Sequence, residues 1–188
     1  MSKIFLSLFL IFFLGCSDSS KKSENTLSTK DLNNSKKSVK KDNYLILKDV
    51  YGEEFKLKKL PDSKIVIEGF EEKALLFEFF TTWCPPCKGL IPHINMLQKE
   101  FEDDLVVFAV LLEENKDNEF MQEYIDNFEI NYIILNDESN FELLKINGNV
   151  KSIPYMTLYD KKGKFFTNYI GQMPQEMISL DIKRMLNK

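Results

Sequence analysis

The chain has 188 residues, of which 44% are hydrophobic, including 16 Phe and 7 Tyr. So many large apolar side chains exclude a wholly disordered chain, and the length allows one ordinary domain with additional segments. Its three Cys are too few for a small fold built on disulfide bonds. With 25 Lys and Arg against 29 Asp and Glu, the net charge is -4, so we expect no nucleic-acid partner.

Residues 1–15 predict an export signal. Within them, 4–14 is apolar apart from one serine, and Lys3 supplies a positive flank. This run is too short for a membrane-spanning helix, which needs about 20 apolar residues. Gly15 and Cys16 follow at once, and the pattern resembles a bacterial lipoprotein signal, in which Cys16 becomes the lipidated first residue. An ordinary signal peptide or an uncleaved anchor is the alternative.

Residues 16–43 predict a flexible linker behind this signal. The stretch 17–42 contains seven Lys, four Asp or Glu and no aromatic residue. It cannot bury enough apolar surface to offset the entropy lost on folding. We therefore expect a folded domain over 44–188, tethered by a lipid to a membrane on the periplasmic side of the cell envelope.

The folded part alternates predicted strands and helices. Strands are recognised by continuous or alternating apolar residues, and helices by apolar residues three and four positions apart. The order predicts an α/β fold with a mixed central sheet flanked by helices and preceded by a hairpin. The predicted strands are 44–50, 55–60, 65–68, 74–80, 105–112, 132–135, 155–159 and 165–170, and the predicted helices are 90–101, 120–128, 140–146 and 177–186.

The residues suited to chemistry lie between the strand 74–80 and the helix that follows. Cys84 and Cys87 are three residues apart at the predicted helix start, where they can form a small disulfide ring. Unpaired N–H groups and the helix dipole stabilise a thiolate there, which predicts Cys84 as the attacking sulfur. Cys87, one turn inside, is predicted to be shielded and to act as the resolving thiol. Pro85 and Pro86 are tolerated in a first helical turn and stiffen the ring.

A zinc site and an inert structural disulfide are the alternatives for this cysteine pair. Tetrahedral zinc needs four ligands, usually Cys or His, and the predicted domain adds a single histidine, His93. We therefore expect no metal and no cofactor, and we expect His93 to be solvated. An inert disulfide would not require placement at a strand-to-helix junction.

The segment Trp83-Cys84-Pro85-Pro86-Cys87-Lys88, together with Pro92 and the pair Ile153-Pro154 before a strand, resembles the thioredoxin superfamily. The N-terminal hairpin and the lipoprotein signal narrow the resemblance to the membrane-tethered TlpA/ResA-like thiol-disulfide oxidoreductases. The resemblance implies a thioredoxin-like fold for 44–188 and a redox-active disulfide between the two cysteines.

The same resemblance implies a substrate surface around the disulfide. Pro154 corresponds to the family's cis-proline, and the loop of Ile153 and Pro154 is expected to face the disulfide and receive the substrate backbone. We expect Trp83 to pack beside the cysteines and, with Pro85 and Pro86, to shape this surface.

Glu78 lies six residues before the first cysteine and matches the buried acid that thioredoxins place behind the cysteine pair. A carboxyl group between Phe77 and Phe79 in an apolar strand is costly unless it is partnered or protonated. Burial would raise its pKa and allow it to take the proton of the resolving thiol. The alternative is a strand-edge glutamate paired with a lysine. Some relatives carry another glutamate three residues after the second cysteine, where this chain has Leu90, so a mechanism that needs that acid does not transfer.

These features predict an envelope oxidoreductase that reduces protein disulfides, acts as a monomer and receives electrons from a membrane redox partner. The two prolines of the motif resemble the reducing members of the family, which serve cytochrome c maturation. A disulfide oxidase or isomerase is one alternative, and a non-catalytic binding or chaperone domain is another. A peroxidase is a third, because Thr81 stands three residues before Cys84 as in peroxiredoxins, although Phe77 replaces their proline.

Overall fold

The computed structural model describes residues 44–114, 116–148 and 150–187 of the chain. The predicted signal, the predicted lipidation site Cys16 and the predicted linker all precede residue 44 and lie outside the described residues. Within the described ranges, no helix is both long and apolar enough to cross a membrane.

A small antiparallel sheet opens the described structure. Leu47, Leu57 and Ile67 are fully buried on one face of it. The predicted hairpin is confirmed, and a third strand extends it, ending one residue earlier than predicted. The strands, in chain order and in sheet order, are β1 (Tyr44–Lys48), β2 (Glu54–Lys59) and β3 (Ile65–Ile67), with a short 3-10 helix (Pro61–Ser63) between the last two.

The central sheet is mixed, as predicted. Its strands are β4 (Ala74–Phe80), β5 (Leu105–Leu111), β6 (Ile133–Leu135), β7 (Tyr155–Tyr159) and β8 (Phe165–Ile170). Their order across the sheet is β6–β5–β4–β7–β8. β4, β5 and β6 are parallel, whereas β7 is antiparallel to β4 and β8 is antiparallel to β7. All seven residues of β4 and of β5 are buried, as continuous apolar runs indicate for central strands.

The helices of the described residues follow the predicted apolar stripes. They are α1 (Pro85–Glu100), α2 (Asn118–Asn127), α3 (Ser139–Ile146) and α4 (Gln175–Met185). α1 begins before its apolar stripe, because the N–H groups of a first turn have no helical partners and prolines are therefore tolerated there.

The central sheet separates two hydrophobic layers. In the α1 layer, Leu76 and Phe80 of β4 pack in one cluster with residues of α1 and α4. In the α3 layer, Phe77 and Phe79 of β4 pack with residues of the N-terminal sheet and α3. Because side chains alternate along a strand, Glu78 belongs to the α1 layer.

Candidate active site

A short loop leads from β4 into α1 and carries the first cysteine. β4 ends at Phe80, and Thr81, Thr82 and Trp83 precede Cys84, which caps the N-terminus of α1. Cys84 and Cys87 are joined by a disulfide bond, with their Cα atoms 5.3 Å apart. The predicted ring is therefore confirmed, and its redox activity stays a prediction.

The helix start provides a favourable environment for negative charge on Cys84. Its Sγ accepts a hydrogen bond from the backbone N–H of Cys87, at 3.2 Å. This bond and the positive end of the helix dipole both favour a thiolate over a thiol. Cys87 is 1% exposed, as predicted, but Cys84 is also enclosed, at 3%. The Sγ of Cys84, the predicted attacking sulfur, is thus less accessible in the disulfide form than the motif alone indicates.

Apolar side chains border the disulfide on its solvent side. Trp83 is 68% exposed, and Pro85 and Pro86 are exposed as well. Trp83 was expected to pack beside the cysteines, yet most of its indole faces solvent. An exposed apolar rim of this kind is typical of a surface that contacts another protein. Substrate contact by these residues stays a prediction.

The loop before β7 lies at the same end of the sheet as the cysteine loop. The peptide bond between Ile153 and Pro154 is cis, as the resemblance implied. Pro154 is buried, and Ile153 packs partly buried against the cluster that contains both cysteines. Because β7 is antiparallel to β4, its first residue, Tyr155, pairs with Phe79 near the end of β4. The antiparallel pairing therefore brings Pro154 toward the cysteine loop.

Glu78 is the buried acid of the site. It is 2% exposed, so its carboxyl group is shielded from water. Burial raises its pKa to about 8, since a desolvated carboxylate is unfavourable. The predicted burial is confirmed. The alternative of a strand-edge glutamate paired with a lysine is wrong, because β4 lies between β5 and β7.

Glu113, which the sequence did not single out, contacts the cysteine loop directly. Its Oε1 accepts hydrogen bonds from both the backbone N–H and the Oγ1 of Thr82, the latter at 2.7 Å. Its Oε2 pairs with the Nζ of Lys116 at 2.8 Å. One signal was available, because residues that follow two parallel strands meet at the same edge of a sheet. Glu113 follows β5 as Thr82 follows β4, but the register needed to pair them is not readable from the sequence.

Tyr124 of α2 adds a second polar group that periodicity did not reveal. It is 6% exposed, and its hydroxyl has no hydrogen-bond partner among the described residues. Burial raises its pKa to about 12, and the charges of Glu78 and Glu113 add to the effect. The hydroxyl therefore lies within electrostatic range of both carboxyl groups.

His93 differs from the expectation of a solvated residue. It is half-buried, and its Nδ1 is enclosed without a hydrogen-bond partner in the part of the chain that the structure describes. The prediction is wrong because His93 lies one helical turn from both Leu90 and Leu97, which are fully buried. Its ring consequently sits at the edge of the buried stripe of α1.

Comparison with known proteins gives the family. The family model described as Thioredoxin matches residues 57–133. The thioredoxin-like protein YneN of Bacillus subtilis is 30% identical over 124 residues, which cover 65% of this chain and 71% of YneN. The chain belongs to the thioredoxin family. The matched span includes the cysteine pair, Glu78 and Glu113, whereas Pro154 follows it.

Other relatives agree with the resemblance to ResA-like thiol-disulfide oxidoreductases. The thiol-disulfide oxidoreductase ResA of Bacillus thuringiensis is 24% identical over 126 residues, covering 67% of this chain and 71% of ResA. The crystal structure of StoA from Bacillus subtilis superposes with a TM-score of 0.57 and 21% identity, covering 74% of this chain and 96% of StoA. The predicted thioredoxin-like fold is confirmed.

Proposed function

We propose that this protein is a thiol-disulfide oxidoreductase that reduces disulfide bonds in exported proteins. The observation that carries the proposal is the Cys84–Cys87 disulfide at the N-terminus of α1, where the Sγ of Cys84 accepts the N–H of Cys87. Membership of the thioredoxin family and a relative named as the oxidoreductase ResA support the same class of reaction.

The proposed reaction begins with both cysteines reduced. The Cys84 thiolate attacks a client disulfide, whose S–S bond breaks, so that a mixed disulfide forms and one client sulfur leaves as a thiolate. Cys87 then loses its proton and attacks the Sγ of Cys84. The Cys84–Cys87 bond closes, and the second client thiolate is released. The client has then gained two electrons and, once its two thiolates are protonated, two protons. An external dithiol must reduce the Cys84–Cys87 disulfide before the next cycle.

We assign to Glu78 the role of proton acceptor for Cys87 in the second step. Glu78 faces the layer that contains both cysteines, and burial raises its pKa to about 8. A carboxyl group with a pKa close to that of a thiol exchanges a proton with it at little cost in free energy. We also assign client contact to the exposed rim of Trp83, Pro85 and Pro86, and to the loop of Ile153 and Pro154.

The cellular setting completes the proposal. Residues 1–15 would direct export, Cys16 would carry a lipid, and 16–43 would tether the domain over 44–188 to the envelope membrane. There a membrane redox partner would restore the dithiol, and apocytochrome c is a client that the family resemblance suggests. Replacing Cys16 with Ala should move the protein from the detergent phase to the aqueous phase on phase partitioning, and an unchanged partition would contradict the lipid anchor.

A Cys87→Ser variant tests the reaction directly. This variant keeps the attacking thiol and the backbone N–H that bonds to it, but it cannot resolve the mixed disulfide. Expressed in envelopes, it should accumulate adducts with client proteins that appear on non-reducing gels and disappear with dithiothreitol.

Matched controls separate the competing functions. The Cys84→Ser,Cys87→Ser double variant should form no adduct. A peroxidase predicts adducts only after peroxide treatment, and a non-catalytic binding domain predicts none. An oxidase predicts rapid disulfide transfer to reduced substrates and slow reduction of insulin. Absence of any peroxide-independent adduct would contradict the proposed reaction.

A further inference from the structure

The loop that precedes Cys84 is held at Thr82 by a side chain from another part of the chain. The N–H and the hydroxyl of Thr82 both donate to Oε1 of Glu113, which is 31 residues away. The other carboxylate oxygen pairs with Lys116, and the Glu113 side chain is 13% exposed. One oxygen of the Glu113 carboxylate is therefore held by Lys116, and the other binds the loop at Thr82.

Glu113 is charged in this position. Burial acts to raise its pKa, but the bonds from Lys116 and Thr82 outweigh burial, so the pKa lies below its ordinary value. A carboxylate is an acceptor for both Thr82 donors, and hydrogen bonds to a charged acceptor are stronger than neutral ones. The charge of Glu113 also acts on the Tyr124 hydroxyl of α2, whose pKa is raised by Glu78 as well.

Thr82 is connected to the attacking sulfur by a short stretch of backbone. Trp83 alone separates it from Cys84, whose N–H bonds to the carbonyl of Thr81 at 3.3 Å. The Thr81 hydroxyl has no hydrogen-bond partner among the described residues. Of the two threonine hydroxyls in the loop, that of Thr82 is therefore bonded by Glu113, whereas that of Thr81 is not bonded by the described residues.

We propose that Glu113 is a positioning residue that braces the loop 81–83, so that Cys84 stays in its capping position at the start of α1. This role deepens the proposed disulfide exchange and rests on it. When the brace is lost, the loop relaxes, and Cys84 spends less time where its Sγ meets the N–H of Cys87. The thiolate loses that stabilisation and becomes less populated at neutral pH.

A brace and a simple charge effect have opposite consequences. As a charge alone, the Glu113 carboxylate would disfavour a nearby thiolate, so any neutral replacement would favour the thiolate. As a brace, Glu113 can be replaced by Gln, whose side-chain oxygen still accepts from Thr82, but not by Ala. Glu114 offers a matched control, since it is an exposed acid next to Glu113 in the chain.

The experiment measures the rate of Cys84 alkylation by iodoacetamide against pH in the reduced full chain. Cys16→Ser and Cys87→Ser are introduced throughout, so that Cys84 is the remaining one of the three cysteines. In this background, Glu113→Ala, Glu113→Gln, Glu114→Ala and Thr82→Val are compared. Circular dichroism melting establishes that each variant is folded at the assay temperature.

The brace predicts that Glu113→Ala moves the pH midpoint of alkylation upward and lowers the rate at pH 7 by about tenfold. Glu113→Gln should stay within about twofold of the parent, because the amide oxygen still accepts from Thr82. Glu114→Ala should do so as well, because an exposed charge is screened by solvent. Thr82→Val keeps the backbone donor and should give an intermediate upward shift of the midpoint. In a double variant with Glu113→Ala, it should cause no further shift.

The opposite pattern would overturn the inference. A downward midpoint in both Glu113→Ala and Glu113→Gln would show a charge effect, and a Glu113→Ala midpoint equal to that of Glu114→Ala would show no role. If Glu113→Ala does not fold, an unshifted midpoint in Thr82→Val overturns the brace. Because alkylation requires no client, failure to trap a client would contradict the proposed function without changing this result.

Discussion

The two layers on either side of the central sheet contain different kinds of buried polar group. On α3, the Asn140 side chain donates to the carbonyls of Leu111 and Leu135, both at 2.9 Å, although its Oδ1 has no partner among the described residues. In the α3 layer, Asn147 donates to the carbonyl of Leu143 at 2.8 Å and accepts from the hydroxyls of Thr157 and Tyr159 at 2.8 and 2.9 Å. In the α1 layer, burial raises the pKa of the Glu78 carboxyl to about 8, and the Tyr124 hydroxyl has no hydrogen-bond partner among the residues that the structure describes.

The α1 layer buries the Glu78 carboxyl group, whereas the Asn147 network of the α3 layer consists of amide and hydroxyl groups. Buried polar groups without partners cost free energy, whereas a satisfied network costs little and orders its surroundings. The α3 layer combines its satisfied amide with contacts between aromatic rings, such as Phe108 with Phe77 and Phe55. The α1 layer contains both cysteines and the Glu78 carboxyl group, to which we assign proton transfer in the proposed reaction.

The largest effect expected is on activity alone, from Cys84→Ser in the α1 layer. Reduction of insulin with dithiothreitol as electron donor should fall by about a thousandfold or more, because the hydroxyl is a poor nucleophile and Cys87 does not occupy the capping position of Cys84. The free energy of unfolding, measured with wild-type protein also reduced, should change little. A residual rate near that of wild type would mean that Cys87 is the attacking thiol.

The next largest effect is on stability alone, from Phe108→Ala in the α3 layer. Phe108 is fully buried, so the cavity should lower the free energy of unfolding by about 3–5 kcal/mol in urea titrations. Insulin reduction per folded molecule should be unchanged. Phe108→Leu is the matched control, with an expected loss below about 1.5 kcal/mol. If Phe108→Ala lost activity while its stability was unchanged, the proposed difference between the two layers would be wrong.

Asn147→Ala tests the satisfied network of the α3 layer. The hydroxyls of Thr157 and Tyr159 would lose their common acceptor, which should lower the free energy of unfolding by about 1–3 kcal/mol. Adding Thr157→Val and Tyr159→Phe removes the unpaired groups and should recover part of the loss. No recovery would mean that Asn147 acts through packing rather than through its hydrogen bonds.

Glu78→Gln tests the buried carboxyl group of the α1 layer through the pH dependence of stability. Glu78 keeps its proton up to about pH 8 when folded, whereas its ordinary pKa is 4.5. Between these values the folded state binds a proton that the unfolded state has released, so stability falls as pH rises, by about 1 kcal/mol per pH unit. The variant lacks this slope, and urea midpoints measured from pH 5 to pH 8 should show wild type losing stability relative to it. Parallel curves would contradict the raised pKa.

Elements with a clear local pattern were predicted from the sequence with accurate ends. The predicted strands 74–80, 155–159 and 165–170 have the observed limits, because apolar runs and turn residues are local signals. The burial of Glu78 was also predictable from Phe77 and Phe79, its neighbours in the chain. Its electrostatic interaction with Tyr124 was not, because helical periodicity assigns that tyrosine to an apolar stripe.

The sequence by itself determined the cysteine pair at a strand-to-helix junction, the α/β class and the thioredoxin resemblance, since each follows from local patterns and their order along the chain. The tertiary structure decided which groups surround the pair. Glu113 reaches Thr82 because β5 lies parallel to β4, and Pro154 approaches because β7 lies antiparallel on the other side of β4. Strand order and register depend on contacts between distant residues, which no local pattern specifies.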